Sequence, residues 1–380
     1  MSQPKKVLLV YSYYIHHKMV ERLASEMGAF GVAIDILCTD NYRMMRLSGI
    51  RFSPVVESCL RLLASCGFLR RRKFSRKLFS DKLFRRIASQ YDLVDFHVCI
   101  PSRLPLMKAC TELGVPYDVM LWGSDILRAT PEEISRMEYA YSGCRYIKAA
   151  TSLQAAVSEK YGGRYDHKFR TVYLGVGDFD AIDAVKDSTV SAMHESITAN
   201  KEDVIVACGY NAHRPQQHLR IIDCLASLPE GLKSRVVLLL QMTYPSDPEY
   251  IGMVEEAASR HGLRYKLFDK HLSDEEVVAV RKLCDVVVNM QITDAFSASL
   301  QGHIYAGGIL LAGEWLDYPV LDNNGIYYIK VNFDTLTGTV VDVLARMDYY
   351  ESQCAGNPAK MRAQTSWQAV SGKWAECYRI

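Results

Sequence analysis

No Cys-x-x-Cys spacing occurs in the 380 residues, and the 11 cysteines are odd in number and scattered. A disulfide framework or a zinc ribbon needs ordered pairs, so reduced thiols in a cytosolic compartment are expected. No His-x-x-x-His, Glu-x-x-His or clustered Cys/His pattern is present, so no metal site is expected. Long apolar runs are missing too: the longest are strand-sized, far short of the roughly 20 residues that a membrane span needs. The opening Met1-Ser2-Gln3-Pro4-Lys5-Lys6 passes straight into Val7–Val10, a run too short for a signal peptide. An excess of either charge is nearly absent, with 45 Lys and Arg against 43 Asp and Glu and a formal net of +2, which excludes a globally basic nucleic-acid binder. Proline (12) and glycine (23) stand near average usage, so no collagen-like or linker-dominated class fits.

What is present is enough apolar residue for two cores, 49% of the chain against 23% charged. The pattern is strand, loop, helix, repeated. Val7–Tyr11, Ala33–Leu37, Leu93–Val98, Tyr117–Leu121 and Arg145–Ala149 read as strands, and Thr171–Leu174 closes the first half. Residues 181–200 are polar and carry no strand signal, so helix plus linker is expected there. The alternation restarts with strands at Val204–Cys208, Val236–Gln241, Arg264–Phe268, Val286–Met290 and Ile309–Ala312, separated by helical stretches. This predicts an α/β chain of two doubly wound domains: residues 1–180, a linker over 181–201, residues 202–355, and a C-terminal helix over 356–380. On that helix Trp367, Val370, Trp374 and Tyr378 share one face, which needs a partner surface, and the first domain is expected to supply it. Ligands in such sheets bind at the strand C-terminal ends.

Several residues sit at those ends. Gly209-Tyr210-Asn211 follows a strand and precedes a helix, where glycine lets backbone N–H groups approach a phosphate. Arg214 is placed to pair with a diphosphate. Neither a dinucleotide fingerprint nor a Walker loop is formed, so a plain turn glycine with an exposed arginine is the alternative. Asp294, Ser297 and Ser299 stand after a later strand, where Asp294 is a binding carboxylate or simply a helix cap. Trp122-Gly123-Ser124-Asp125 lies just past a strand end, and Asp125 is a candidate general base or hydroxyl acceptor, or again a cap. His97 ends another strand as an alternative base or a satisfied core histidine. His16 and His17 follow the first strand, with position as their only argument.

From Arg61 to Gln90 there are ten Lys/Arg and a single acid, Asp81, interleaved with leucine and phenylalanine. Arg70, Arg71, Arg72, Lys73, Arg76 and Lys77 form its densest part. Such a segment suits a helix lying on an anionic membrane or gripping a lipid-linked acceptor; a solvated surface and an RNA grip are the other readings.

The ordered motifs resemble the GT-B fold nucleotide-sugar glycosyltransferases, in particular bacterial enzymes of surface polysaccharide synthesis. Ala149-Ala150-Thr151-Ser152 with the helix after it is similar to their strand–serine–helix segment. Val172–Asp178 resembles their stretch before the linker, Gly209–Leu219 their phosphate loop, and Val286–Leu311 the segment that carries a Glu-x7-Glu donor motif. A weaker likeness, through Trp122-Gly123-x-Asp125, Gln217-His218 and Met242-x-Tyr244-Pro245, is to the 4-acetamido-fucose transferases of enterobacterial common antigen synthesis.

The resemblance implies two Rossmann-like domains facing across a cleft, with the C-terminal helix returning to the first. It implies metal-independent transfer, without a cofactor, of a sugar from a UDP- or TDP-linked donor to a glycan or polyprenyl-linked acceptor. The protein would be cytoplasmic, or peripheral on the inner face of the cytoplasmic membrane, with no nucleic acid involved. Gly209, Tyr210, Asn211 and Arg214 would hold the diphosphate, Phe268 to Leu272 the base, Asp294 the transferred sugar, and Ser297 would lie near the phosphates. Asp125, or His97, would act on the acceptor hydroxyl. Two departures stand out. Gly302 occupies the place of the family's second acid, with Gln301 or His303 as substitutes, and Gln217-His218 stand where a phosphate-loop lysine is usual. A non-catalytic partner protein and a sugar-nucleotide epimerase or hydrolase are the alternatives.

Overall fold

The computed structural model describes residues 5–11, 17–39 and 81–379. The chain divides into two compact units, Met1–Gly175 with Trp367–Ile380, and Val176–Ser366. Each is an α/β unit built on one parallel sheet, so its strands are flanked by helices and read as continuous apolar runs.

In the first unit the described strands are β1 (Lys5–Tyr11), β2 (Val32–Cys38), β3 (Leu93–His97), β4 (Tyr117–Met120), β5 (Ile147–Ala149) and β6 (Phe169–Thr171). They pair in parallel in the order β2-β1-β3-β4-β5-β6. The helices between them start where the sequence signals a start. Thr130 and Glu133, for example, form a reciprocal capping box that opens the Pro131–Gly143 helix. The strand expected at Thr171–Leu174 lies earlier, at Phe169–Thr171. The apolar run Val172-Tyr173-Leu174 instead packs in the core cluster that holds Trp367 and Trp374, and Tyr173 gives its carbonyl to the Trp374 indole at 2.8 Å. The basic residues Arg70, Arg71, Arg72, Lys73, Arg76 and Lys77 lie outside the described residues. The end of their segment forms the Asp81–Ala88 helix, whose Phe84 and Ile87 are buried in the protein core.

The terminal helix, Trp367–Cys377, belongs to this unit, and Trp367, Val370, Trp374 and Tyr378 are all buried. Its anchor is a charge cluster withdrawn from water. The Lys148 ammonium, fully buried on β5, lies 2.6 Å from the Asp95 carboxylate of β3 and 3.4 Å from that of Asp118 on β4. Tyr378 donates to Asp95 at 2.6 Å, and the ammonium sits 4.6 Å from the Tyr378 ring centre and 5.2 Å from that of Trp374. Arg145 pairs with Asp118 and donates to the carbonyls of Cys377 and Arg379. Burial alone would raise the Asp95 carboxyl; Lys148 and His97 outweigh it and hold it well below the usual range.

The second unit holds β7 (Val204–Cys208), β8 (Val236–Gln241), β9 (Arg264–Phe268), β10 (Val286–Asn289), β11 (Ile309–Gly313) and β12 (Ile329–Val331). The order β9-β8-β7-β10-β11-β12 is parallel throughout. The order in which the chain adds strands reverses between β7 and β10, the switch point at which doubly wound sheets open a crevice beyond their strand ends. The short β12 has no counterpart in the expected strands. The polar stretch near residues 181–200 forms two helices, Asp178–Ala184 and Asp187–Ile197, inside this unit. The first is tied down by Phe179 stacked on Tyr305 at 4.1 Å and by an Arg362 fork onto Asp180 and Asp183. No helix among the described residues is long and apolar enough to cross a membrane.

Removing one partner from a buried ion cluster leaves uncompensated charge, at a cost of about 3–5 kcal/mol. Lys148→Met is therefore expected to lower the urea midpoint of unfolding by that equivalent, with Asp95 and Asp118 left facing each other. A midpoint unchanged from the parent would show that the cluster does not anchor the terminal helix.

Candidate functional site

The loops after β7 and β10 meet at the switch point of the second unit. Gly209 directly follows β7 with φ +68°, and its amide donates to the Val288 carbonyl at 3.1 Å. A Cβ there would lie 2.8 Å from both Gln216 Oε1 and His218 Nε2, so only glycine lets the loop fold back over its own helix start. Those two atoms are buried and have no partner among the described residues. Gln217 takes a left-handed conformation, φ +62°, and its side-chain amide donates to the Met290 carbonyl, joining the β7 and β10 loops. Asn211 is buried and accepts from the His213 amide at 2.9 Å.

Asp294 is the centre of the second loop. Its carboxylate accepts from the Tyr318 hydroxyl at 2.7 Å, from Asn289 Nδ2 at 3.3 Å and from the Tyr210 hydroxyl at 3.3 Å. Gln291 Nε2 donates to Tyr210 at 3.0 Å, and Asn289 Nδ2 donates to Tyr318 at 2.7 Å. Burial raises the Asp294 carboxyl above its ordinary value despite those three donors. Phe296 is held at φ +64°, a costly conformation for a side chain of that size. Ser297 then caps the Ala298–Tyr305 helix by accepting from the Leu300 amide at 3.2 Å. The cap is thus Ser297, which leaves Asp294 as a carboxylate aimed at hydroxyls.

Tyr210, Asn211, Gly209, Asp294 and Ser297 are brought together at the β7 and β10 ends. Arg214 is half-exposed in the same loop, but its guanidinium is held by Asp247 at 3.0 Å and Glu249 at 3.5 Å, over the Tyr250 ring. Phe268 ends β9, and its carbonyl is taken by the Met242 amide at 2.8 Å; Leu272 lies half-buried in the loop beyond. Gln301 turns inward, donating to the Phe296 carbonyl at 2.9 Å.

In the first unit, Asp125 and His97 are both buried. Asp125 accepts backbone N–H groups from Cys99 at 2.9 Å, Gly123 at 2.9 Å and Trp122 at 3.1 Å, which joins the loops after β3 and β4. His97 lies 3.3 Å from Asp95 and stacks on Trp374, and burial holds its ring below the ordinary histidine range. His17 bonds the Tyr11 hydroxyl at 2.5 Å and pairs with Glu21, and His16 lies outside the described residues.

The place of Gly302 has a physical account. A Cβ on it would stand 2.8 Å from Cδ and Nε of Arg281, whose guanidinium fills that space and pairs with Asp178. A cation thus stands where an acid was expected, and it is already neutralised. His303 lies 3.3 Å from Gln241 across the β8 end, and its ring is fully enclosed. Tyr318, Asn289, Gln291 and Arg281 were missed by sequence reasoning. Only Asn289 carried a signal, as a lone amide in the apolar Val286–Met290 run.

With this geometry in view, solved structures are similar over nearly the whole length. Anabaena HepE in complex with UDP superposes with a TM-score of 0.70 at 12% identity, covering 98% of this chain and 99% of that one. A glycosyltransferase from Rickettsia africae gives 0.75 at 13% identity, covering 99% and 98%. Sucrose-phosphate synthase from Thermosynechococcus elongatus gives 0.70 at 11% identity, covering 99% and 98%. The fold is GT-B. No protein-family model matches the sequence, and no curated protein matches it. In GT-B terms, the Gly209 and Asp294 loops are those at the switch point of the C-terminal sheet.

The two enclosed histidines of this unit make its stability depend on pH. Burial holds His218 at a pKa of about 4 and His303 at about 3. Unfolded, each takes a proton near 6.5, so below that pH the unfolded chain binds more protons and stability falls as pH drops toward 4. Each contributes a slope of about 1.4 kcal/mol per pH unit across that window. His303→Gln is expected to flatten the decline in melting temperature between pH 6.5 and 4.5; parallel declines in variant and parent would contradict the assignment.

Proposed function

We propose that the chain is a glycosyltransferase that takes a sugar from a UDP- or TDP-linked donor and passes it to a glycan or polyprenyl-linked acceptor. The observation that carries this reading is the Asp294 carboxylate, set among Tyr318, Asn289 and Tyr210 and joined through Tyr210 to the Gly209 loop. A carboxylate supported in this way suits sugar hydroxyls, and a glycine-opened loop before a helix N-terminus suits a diphosphate. The fold shared with HepE, which was solved with UDP and with UDP-glucose, supports the same reading.

Transfer needs the charge that develops on the leaving diphosphate to be neutralised. In this proposal the amides of residues 209–211, the positive end of the His218–Ala226 helix and Arg214 do so without a metal ion. Arg214 exchanges Asp247 and Glu249 for the diphosphate. Phe268 to Leu272 flank the base, and Ser297 lies near the phosphates. Asp125, with its oxygens committed to three backbone amides, orients the Trp122-Gly123 loop toward the acceptor. His97 supports the buried Asp95 behind it. The basic run Arg70 to Lys77 holds the acceptor against an anionic membrane on the cytoplasmic face.

Two variants and one titration test this. A thermal-shift series with UDP, TDP, GDP, ADP and CMP, with and without EDTA, is expected to show a selective shift with UDP or TDP that survives EDTA. A ligand at 100 times its Kd stabilises by about 2.7 kcal/mol, a shift of a few degrees. Arg214→Ala is expected to weaken that nucleotide by about tenfold, one charge-assisted contact. Asp125→Asn is expected to abolish glycan product while nucleotide binding persists. No shift with any nucleotide would favour a non-catalytic partner protein, and donor consumption at equal speed without acceptor would favour a hydrolase or epimerase.

A further inference from the structure

Beside the Asp294 loop the second unit exposes two large apolar side chains, Ile292 at 57% and Trp315 at 42% of their full surface. They are neighbours by construction. The peptide joining Gln291 to Ile292 takes the Trp315 indole N–H on the Gln291 carbonyl at 2.8 Å. The Ile292 amide itself donates to the Pro215 carbonyl at 2.9 Å, which ties this edge to the loop after β7. One face of the indole is also held: it stacks on Phe333 at 5.6 Å and 22°, and the Arg220 guanidinium lies 3.6 Å from the centre of the Phe333 ring. Trp315 follows β11 and Phe333 follows β12, so this platform stands at the same strand ends as the polar cluster.

An exposed indole whose N–H is already satisfied and whose orientation is fixed offers an apolar plane at little entropic cost on binding. Gln291 joins that plane to the carboxylate, since its backbone holds Trp315 while its side chain holds Tyr210, which donates to Asp294. On the same edge Asn289 Oδ1 is buried without a partner among the described residues. A flat apolar floor beside a carboxylate and amides matches one class of molecule, a pyranose ring with a C–H face and hydroxyls around its rim. We infer that Trp315 and Ile292 form the floor of a carbohydrate subsite whose polar edge is Asp294 and Asn289. The ring comes either from the sugar of the donor or from an acceptor glycan. The inference deepens the transferase reading and rests on it for those two sources.

The test compares the parent with Trp315→Ala and Ile292→Ser, with folding checked by circular dichroism and melting temperature. One arm measures binding of UDP-glucose, UDP-galactose and UDP-N-acetylglucosamine relative to UDP; the other measures retention on a bacterial glycan array. Loss of about tenfold in the first arm alone, with UDP unchanged, assigns the subsite to the donor sugar; the same loss in the second arm alone assigns it to the acceptor. Unaltered binding in both arms, or a parent that binds no sugar in either, overturns the inference. Anionic phosphatidylglycerol vesicles that bind the parent but not Trp315→Ala would mark a lipid contact instead and overturn it equally. A failed UDP shift with glycan retention intact would sink the transferase reading and leave the subsite standing.

Discussion

A carboxylate taken out of water must be met by donors, and each unit is organised around one such demand. In the first, Asp95 draws Lys148 from β5, His97 from its own strand and Tyr378 from the last residues of the chain. That single group explains why a terminal helix far away in sequence is part of the first unit's core. In the second, Asp294 draws Tyr210 from the β7 loop, Asn289 from β10 and Tyr318 from beyond β11. The two clusters differ in kind. The first balances full charges, the Lys148 ammonium against the Asp95 and Asp118 carboxylates, whereas the second surrounds one carboxylate with neutral donors beside an amide oxygen on Asn289 that has no partner among the described residues.

This contrast separates architecture from chemistry. A buried cation neutralised by two carboxylates cannot give up either without leaving charge uncompensated. A carboxylate raised by burial and supported by neutral donors can exchange one of its hydroxyl partners for a substrate hydroxyl. The same logic governs Arg281, whose guanidinium fills the space left open at Gly302 and is neutralised by Asp178. It governs Arg214 as well, where the paired acids are at the surface and competition by a diphosphate is cheap, since exposed ion pairs contribute little.

Most of the fold was legible in the sequence because parallel strands flanked by helices are apolar on both faces. Runs such as Val236–Gln241 and Val286–Asn289 stand out against the polar helices around them. The misplaced β6 shows the limit: an apolar run can be buried by side-chain packing without joining a ladder, as Val172-Tyr173-Leu174 is. Of the site, Gly209 and Asp294 were legible by position after a strand. Tyr210 was legible with Gly209, but its pairing with Asp294 was not, since the two lie 84 residues apart, and Tyr318, 24 residues from Asp294, was not legible at all. No local pattern marks Tyr318 or the Tyr210–Asp294 contact, because that contact is made by the sheet order that sets β7 beside β10. Gly302 read as a gap, and only the packing of Arg281 against it supplies the reason.

The central claim is that the β7 and β10 loops of the second unit receive the nucleotide-linked donor. Hydrogen–deuterium exchange of the full chain, with and without saturating UDP or TDP, tests it most directly. The account predicts slowed exchange at the amides of residues 209–217 and 289–297, where the phosphates and sugar would lie. Exchange unchanged in both loops, or slowed only among strands β1 to β6, would contradict it.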